Sequence, residues 1–135
     1  MNKELHYKLA GIIIRDRKLL MCRKYDELHF IMPGGKRLKG ETARRTLERE
    51  LMEELGVKLT SARKFKTWEA PHFRDKNTIV RMETYFVEID GEPEAKSEIN
   101  ELQWVDSHYK ENGLRVASID EDYLIPELKK RQLID

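Results

Sequence analysis

The stretch from Thr42 to Gly56 constrains this chain more than any other part of it. Ala43 to Leu55 carries helix-forming residues throughout, Thr42 offers a hydroxyl at the N-cap, and Gly56 stands where a helix stop belongs. Ala43, Leu47, Leu51 and Leu55 recur every fourth residue, so the helix has one apolar stripe that must be buried against another layer. Three glutamates border that stripe. Glu50, Glu53 and Glu54 fall at i, i+3 and i+4, and at about 100° per residue they share one narrow arc. Like charges so placed repel and destabilise a helix. A divalent cation relieves the repulsion, and Mg²⁺ in particular favours carboxylate, water and phosphate oxygens. A solvated charged face is the plainer alternative, and the helix alone does not exclude it.

The residues ahead of the helix shift the balance toward a site. Pro33-Gly34-Gly35-Lys36 is a glycine-rich loop of the kind that brings backbone close to a phosphate or a metal. Gly35 and Gly40 have the separation of a phosphate-binding P-loop, but Glu41 stands where that motif needs lysine and would repel phosphate, so that motif is excluded. Tyr7 to Arg15 and Lys18 to Arg23 read as strands joined by a turn at Asp16-Arg17, and His29 to Met32 is a short apolar piece. Beyond the helix, Arg63 to Ala70, Thr78 to Ile89 and Leu102 to Val105 read as strands and Tyr123 to Arg131 as a second helix, with a turn at Asp90-Gly91-Glu92-Pro93. The expectation is an α/β sandwich around a mixed sheet, with residues 1–135 as one domain.

Composition excludes several classes. Lys+Arg (26) and Asp+Glu (25) nearly cancel, so there is no overall basic field for a nucleic-acid polymer. The longest apolar run, Leu9 to Ile14, is far shorter than the roughly 20 residues that span a bilayer. Cys22 is the single cysteine and lies in an apolar run, which predicts a buried, unreactive thiol and no intrachain disulfide. A cytoplasmic protein without a membrane partner is the expectation, as a monomer or homodimer.

Read as a whole, Gly35 to Val57 runs Gly-x5-Glu-x7-Arg-Glu-Leu-x-Glu-Glu-x-Gly-Val. It resembles the Nudix box, the signature of the Nudix hydrolase superfamily, at every defining position: Gly35, Glu41, Arg49, Glu50, Leu51, Glu53, Glu54, Gly56 and Val57. The resemblance implies a Nudix-type α/β/α sandwich with a mixed central β-sheet, and hydrolysis of a nucleoside diphosphate linked to another group. It implies Glu50, Glu53 and Glu54 as ligands of Mg²⁺ (Mn²⁺ as alternative), one of them also a candidate base, with the Gly35 carbonyl as a further ligand. Arg49 and Glu41 are implied as a supporting pair that orients the glutamates. Such an enzyme neutralises phosphate charge with metal and passes the proton of the attacking water to a carboxylate.

The substrate is less constrained. Met82-Glu83, Gly91-Glu92-Pro93 and Ser97-Glu98 resemble the branch acting on oxidised purine nucleoside triphosphates, which includes the MutT-type enzymes. There Glu83 corresponds to an additional metal-binding or catalytic glutamate; otherwise it is an exposed strand residue. Asp120 and Glu121 stand where that branch reads the purine edge, although acids at a helix start are also ordinary capping residues. No stacking aromatic flanks Asp120 in sequence. Arg23, Lys24 and Lys36 are further candidates for substrate contact. Pro71, fifteen residues beyond Gly56, instead resembles enzymes acting on ADP-ribose, and His72, Phe73, Arg74 and Lys76 beside it read mostly as solvent-facing. The expected substrate is a small nucleotide, foremost a nucleoside triphosphate. The alternatives are ADP-ribose, a nucleotide sugar, a dinucleoside polyphosphate, or a Nudix fold that senses a nucleotide without cleaving it.

Overall fold

Helices and strands form where the apolar pattern places them, and they stack in three layers. The computed structural model describes residues 3–135. Within them the elements run β1 (Glu4–Ile12), β2 (Ile14–Arg15), β3 (Lys18–Lys24), β4 (Gly34–Gly35), α1 (Ala43–Leu55), β5 (Lys58–Pro71), β6 (Thr78–Asp90), β7 (Ile99–Val105) and α2 (Ile125–Lys130). A four-stranded mixed sheet has the order β4-β1-β6-β5, with β1 and β6 parallel and the other pairs antiparallel. A three-stranded antiparallel sheet, β2-β3-β7, adjoins it.

The stripe on α1 is buried as its spacing requires. Leu47, Leu51 and Leu55 are fully covered and pack against Leu9, Ile13, Leu20, Tyr85 and Val87. The Thr42 hydroxyl accepts the Arg45 N–H at 3.2 Å, and Gly56 ends the helix with its N–H on the Met52 carbonyl at 3.0 Å. A second core, with Met21, Met32, Met82, Leu124 and Leu128, lies beneath α2. One helix on each face gives the α/β/α sandwich expected for the family.

Several boundaries differ from the sequence reading, among them β7, which begins at Ile99 rather than Leu102. The first strand begins at Glu4 and breaks at Ile13, where the chain passes from one sheet to the other. β5 runs from Lys58 to Pro71, well beyond Arg63 to Ala70, because its polar half pairs with β6 through two register shifts, and ladder bonds need no apolar pattern. His29 to Met32 makes only isolated bridges, Cys22 with Ile31 and Phe30 with Val116. The C-terminal helix opens earlier than Tyr123, with a π-helical turn over Asp120–Leu124 in which the Ile125 N–H reaches the Asp120 carbonyl. That wide turn buries Asp120 and Leu124 together.

Candidate active site

The Pro33-Gly34-Gly35 loop works by close approach. Gly34 has φ +138°, a region that suits glycine, and a Cβ there would collide with the Leu9 carbonyl oxygen. A Cβ on Gly35 would lie 2.5 Å from the Glu50 carboxyl carbon. The loop therefore lies directly against the acidic face of α1, and the Gly34 N–H donates to Glu54 Oε1 at 2.8 Å. Glu54 is buried, 3% exposed, and burial, with the Glu50 charge adding to it, pushes its carboxyl up to about 7 against the opposing Lys8 ammonium and Gly34 N–H. Burial also raises Glu50, opposed by Arg49.

Arg49 organises this face with a full set of donors. Its Nε and Nη2 grip the two oxygens of Glu41 at 2.8 and 2.9 Å, Nη1 donates to Glu50 Oε1 at 2.7 Å, and Nη2 reaches the Lys36 carbonyl at 3.1 Å. Glu41 also accepts from the Leu38 N–H and the Thr46 hydroxyl, and the Arg49 guanidinium above all holds its carboxyl down to about 2. Glu53 is turned outward, 55% exposed, with a carboxylate oxygen 3.9 Å from Arg49. Among the described residues, no three His, Cys, Asp or Glu side chains are already gathered tightly enough to share one ion. The donor set nevertheless fits a hard cation. Two desolvated carboxyls with raised affinity for positive charge stand against the Gly35 backbone, and no side chain could occupy the space between Gly35 and Glu50.

From this acidic end a cavity of about 360 Å³ runs to Asp120. Lys8, Lys24 and Lys36 stand along it, as do His72, Phe73 and Arg74. Asp120 is 1% exposed, makes no capping hydrogen bond, and its Oδ1 has no partner within the protein. Burial pushes its carboxyl up to about 7, opposed by Lys8. Asp120 thus stands in the acidic first turn of the helix but spends no side-chain hydrogen bond on capping it. Glu121, its neighbour in sequence, faces away, bound to Lys110 at 2.6 Å and to Tyr109, and does not line the cavity.

Lys36 lines the cavity, but Arg23 does not; its guanidinium is held by Glu101 at 2.9 Å and by the Glu27 carbonyl at 2.8 Å. Lys24, the other candidate there, does line the cavity. Glu83 is a quarter exposed and outside the cavity lining, 3.2 Å from the Tyr85 hydroxyl and 3.9 Å from Arg37. Because Gly35 and Glu83 both pair with Leu9, the three stand in one row across the sheet, and Glu83 shares the α1 face with Leu9. The solvent-facing reading of the Pro71 loop holds for Lys76 and for Arg74, which is exposed while also lining the cavity, but not for the half-buried His72 and Phe73. Ser118 donates to the Pro71 carbonyl at 3.3 Å, bringing this loop beside Asp120. Phe73 packs between His29 and His72, with ring centroids at 4.7 and 4.4 Å, and Arg74 pairs with Glu27 at 2.8 Å. The aromatic absent from Asp120's sequence neighbourhood thus arrives from 47 residues upstream (Phe73 to Asp120). Cys22 is buried and its thiol is pushed up to about 12, an inert group.

The family model for the NUDIX domain matches residues 6–114, and the chain belongs to the Nudix family. It is a hydrolase of phosphoanhydride bonds, in a family that acts on small nucleotide substrates and generally needs divalent metal ions. Among solved structures it is similar to the ORF135 protein of E. coli, at 25% identity and TM-score 0.74 over 96% of this chain and 92% of that one. It is similar in fold to a MutT from work on Aliivibrio salmonicida and Vibrio cholerae, at 22% identity and TM-score 0.71 over 95% and 99% of the two chains. It also resembles a bifunctional NMN adenylyltransferase/ADP ribose pyrophosphatase from Francisella tularensis, at 21% identity and TM-score 0.66, covering 98% of this chain and 42% of that one. No curated protein matches. Among the described residues, no helix is long and apolar enough to cross a membrane.

Proposed function

We propose that this Nudix hydrolase cleaves a nucleoside triphosphate, with oxidised purine triphosphates foremost, to the monophosphate and pyrophosphate in a Mg²⁺- or Mn²⁺-dependent reaction. One observation carries the proposal: a single cavity joins the carboxyls of Glu50 and Glu54 to the unpartnered carboxyl of Asp120, with cationic side chains between. The acidic end suits metal and phosphates, the lysines suit phosphate oxygens, and the far end suits a base. The volume is near the lower end of ligand sites, about 300–1,000 Å³, and fits one nucleotide more readily than a two-nucleoside compound. MutT among the fold relatives is consistent with this reading, whereas the ADP ribose pyrophosphatase marks the leading alternative.

In this mechanism Glu50, Glu53, Glu54 and the Gly35 carbonyl would hold the metal. The metal, when bound, neutralises phosphate charge and acidifies water. Arg49 fixes Glu50 by hydrogen bond and is itself fixed by Glu41, so the carboxylate is oriented before substrate arrives. Lys36 meets phosphate oxygens at the rim. A carboxylate among Glu50, Glu53, Glu54 and Glu83 takes the proton of the attacking water. Asp120 contacts the base; Glu121 has no part in it, being committed to Lys110. Hydrolysis of 8-oxo-dGTP and dGTP in ¹⁸O water, followed by phosphorus NMR, tests the reading. Monophosphate and pyrophosphate are expected; diphosphate with orthophosphate would overturn it.

A further inference from the structure

Lys8 is a cavity residue that neither the Nudix box nor the sequence reading singles out. It sits on β1 opposite Met82 of β6, half-buried, and its Nζ donates to the Met32 carbonyl at 2.6 Å. Among the described residues no carboxylate lies within ion-pairing distance of it. An ammonium carries three N–H groups and no acceptor, so one is used and the rest are left to the cavity. Lys8 lines the same cavity as Glu54 and Asp120. Asp120 is the complementary orphan, a buried carboxyl with an unpartnered oxygen lining the same cavity. A half-buried cation with donors beyond the one spent on Met32, and a buried carboxyl with an unpartnered oxygen, line one cavity and offer a donor and an acceptor to a ligand.

Resting on the nucleotide reading above, we propose that Lys8 is a specificity-determining residue that reads the base together with Asp120. The ammonium donates to a ring carbonyl and the carboxyl accepts from the adjacent ring N–H. The class selected is a base with a lactam edge, such as guanine, hypoxanthine or a 6-oxo purine oxidised elsewhere on the ring. Both hydrogen bonds to such an edge are charge-assisted. Adenine in the same register turns its amino group toward the ammonium, setting donor against donor.

The experiment uses Lys8→Met, which keeps the apolar stem and removes the donors, and Lys8→Gln, which restores one neutral donor. Binding of GMP and AMP is measured by calorimetry, and kcat/KM by turnover of dGTP and dATP. The wild type is expected to favour GMP and dGTP. Lys8→Met should lose about ten-fold or more on dGTP, through KM rather than kcat, with a much smaller loss on dATP, and Lys8→Gln should fall between. Equal losses on both nucleotides would make Lys8 a phosphate contact and overturn the proposal, as would no loss at all. The two readings fail separately. If no triphosphate is turned over, the hydrolytic reading falls, while a GMP preference that disappears in Lys8→Met, or was never present, still decides the role of Lys8.

Discussion

Glu54→Gln isolates the energetic cost of the buried acid. Without metal, the Glu54 carboxyl is raised from an ordinary 4.5 to about 7 by burial, so the folded protein holds its proton more tightly than the unfolded chain. The stability that this proton brings is fully present below about 4.5, is lost as pH rises through about 7, and is then absent on the alkaline side. Such a difference corresponds to roughly 3 kcal/mol as an upper figure, since relaxation and water reduce it. Glutamine keeps an acceptor for the Gly34 N–H and carries no charge. In metal-free buffer at pH 8, Glu54→Gln should melt about 5–10 °C above the wild type, given about 3–5 °C per kcal/mol for a chain of this length. The gain should shrink steadily below pH 7 and be small by pH 4.5. Millimolar Mg²⁺ should reverse the order, raising the wild-type melt and leaving the variant nearly unmoved. Differential scanning calorimetry across pH 4.5–8 measures both effects. Parallel melts at every pH, or equal Mg²⁺ stabilisation of both proteins, would refute the reasoning.

Three further outcomes are expected. Gly35→Ala should reduce turnover by about a hundred-fold or more, because its Cβ would press on the Glu50 carboxyl, while circular dichroism stays native; near-normal kcat would mean that Gly35 and Glu50 do not define the site. Arg49→Lys keeps the charge but cannot span Glu41, Glu50 and the Lys36 carbonyl together, so kcat should fall about 10–100-fold, with metal affinity weakened in parallel by titration. Asp120→Ala should weaken discrimination between purine bases more than it weakens turnover, read as kcat/KM ratios; equal losses on every base would remove Asp120 from base recognition.

The acidic end was legible in the sequence because its parts are local. Thr42 and Gly56 mark the helix, the leucine stripe orients it, and Glu50, Glu53 and Glu54 follow from the helical period. Glu41 lies one residue ahead of the N-cap, and Arg49 is two turns along, which puts their bidentate pair within reach of pattern reasoning. At the other end of the cavity the sequence named Asp120 but not what surrounds it, because those parts meet across the fold. Phe73 on the β5–β6 loop lines the same cavity as Asp120, and the Ser118 hydrogen bond to the Pro71 carbonyl ties that loop to the segment before Asp120, a contact with no trace in local periodicity. Lys8 lay inside what read as a buried apolar strand, where alternation could have marked it as facing a different surface from Leu9. Of Arg23 and Lys24, both candidates for the pocket, the cavity took the lysine while Glu101 took the arginine, at a point where the strand register shifts.

The most direct test is turnover with and without Mg²⁺ on one panel: oxidised and unmodified nucleoside triphosphates, ADP-ribose, nucleotide sugars and dinucleoside polyphosphates, with Glu53→Gln alongside. Mg²⁺-dependent release of pyrophosphate from a preferred triphosphate, lost in a Glu53→Gln protein that melts no lower than wild type without metal, is the predicted result. Full activity in Glu53→Gln, or a preference for ADP-ribose over every triphosphate, would contradict it.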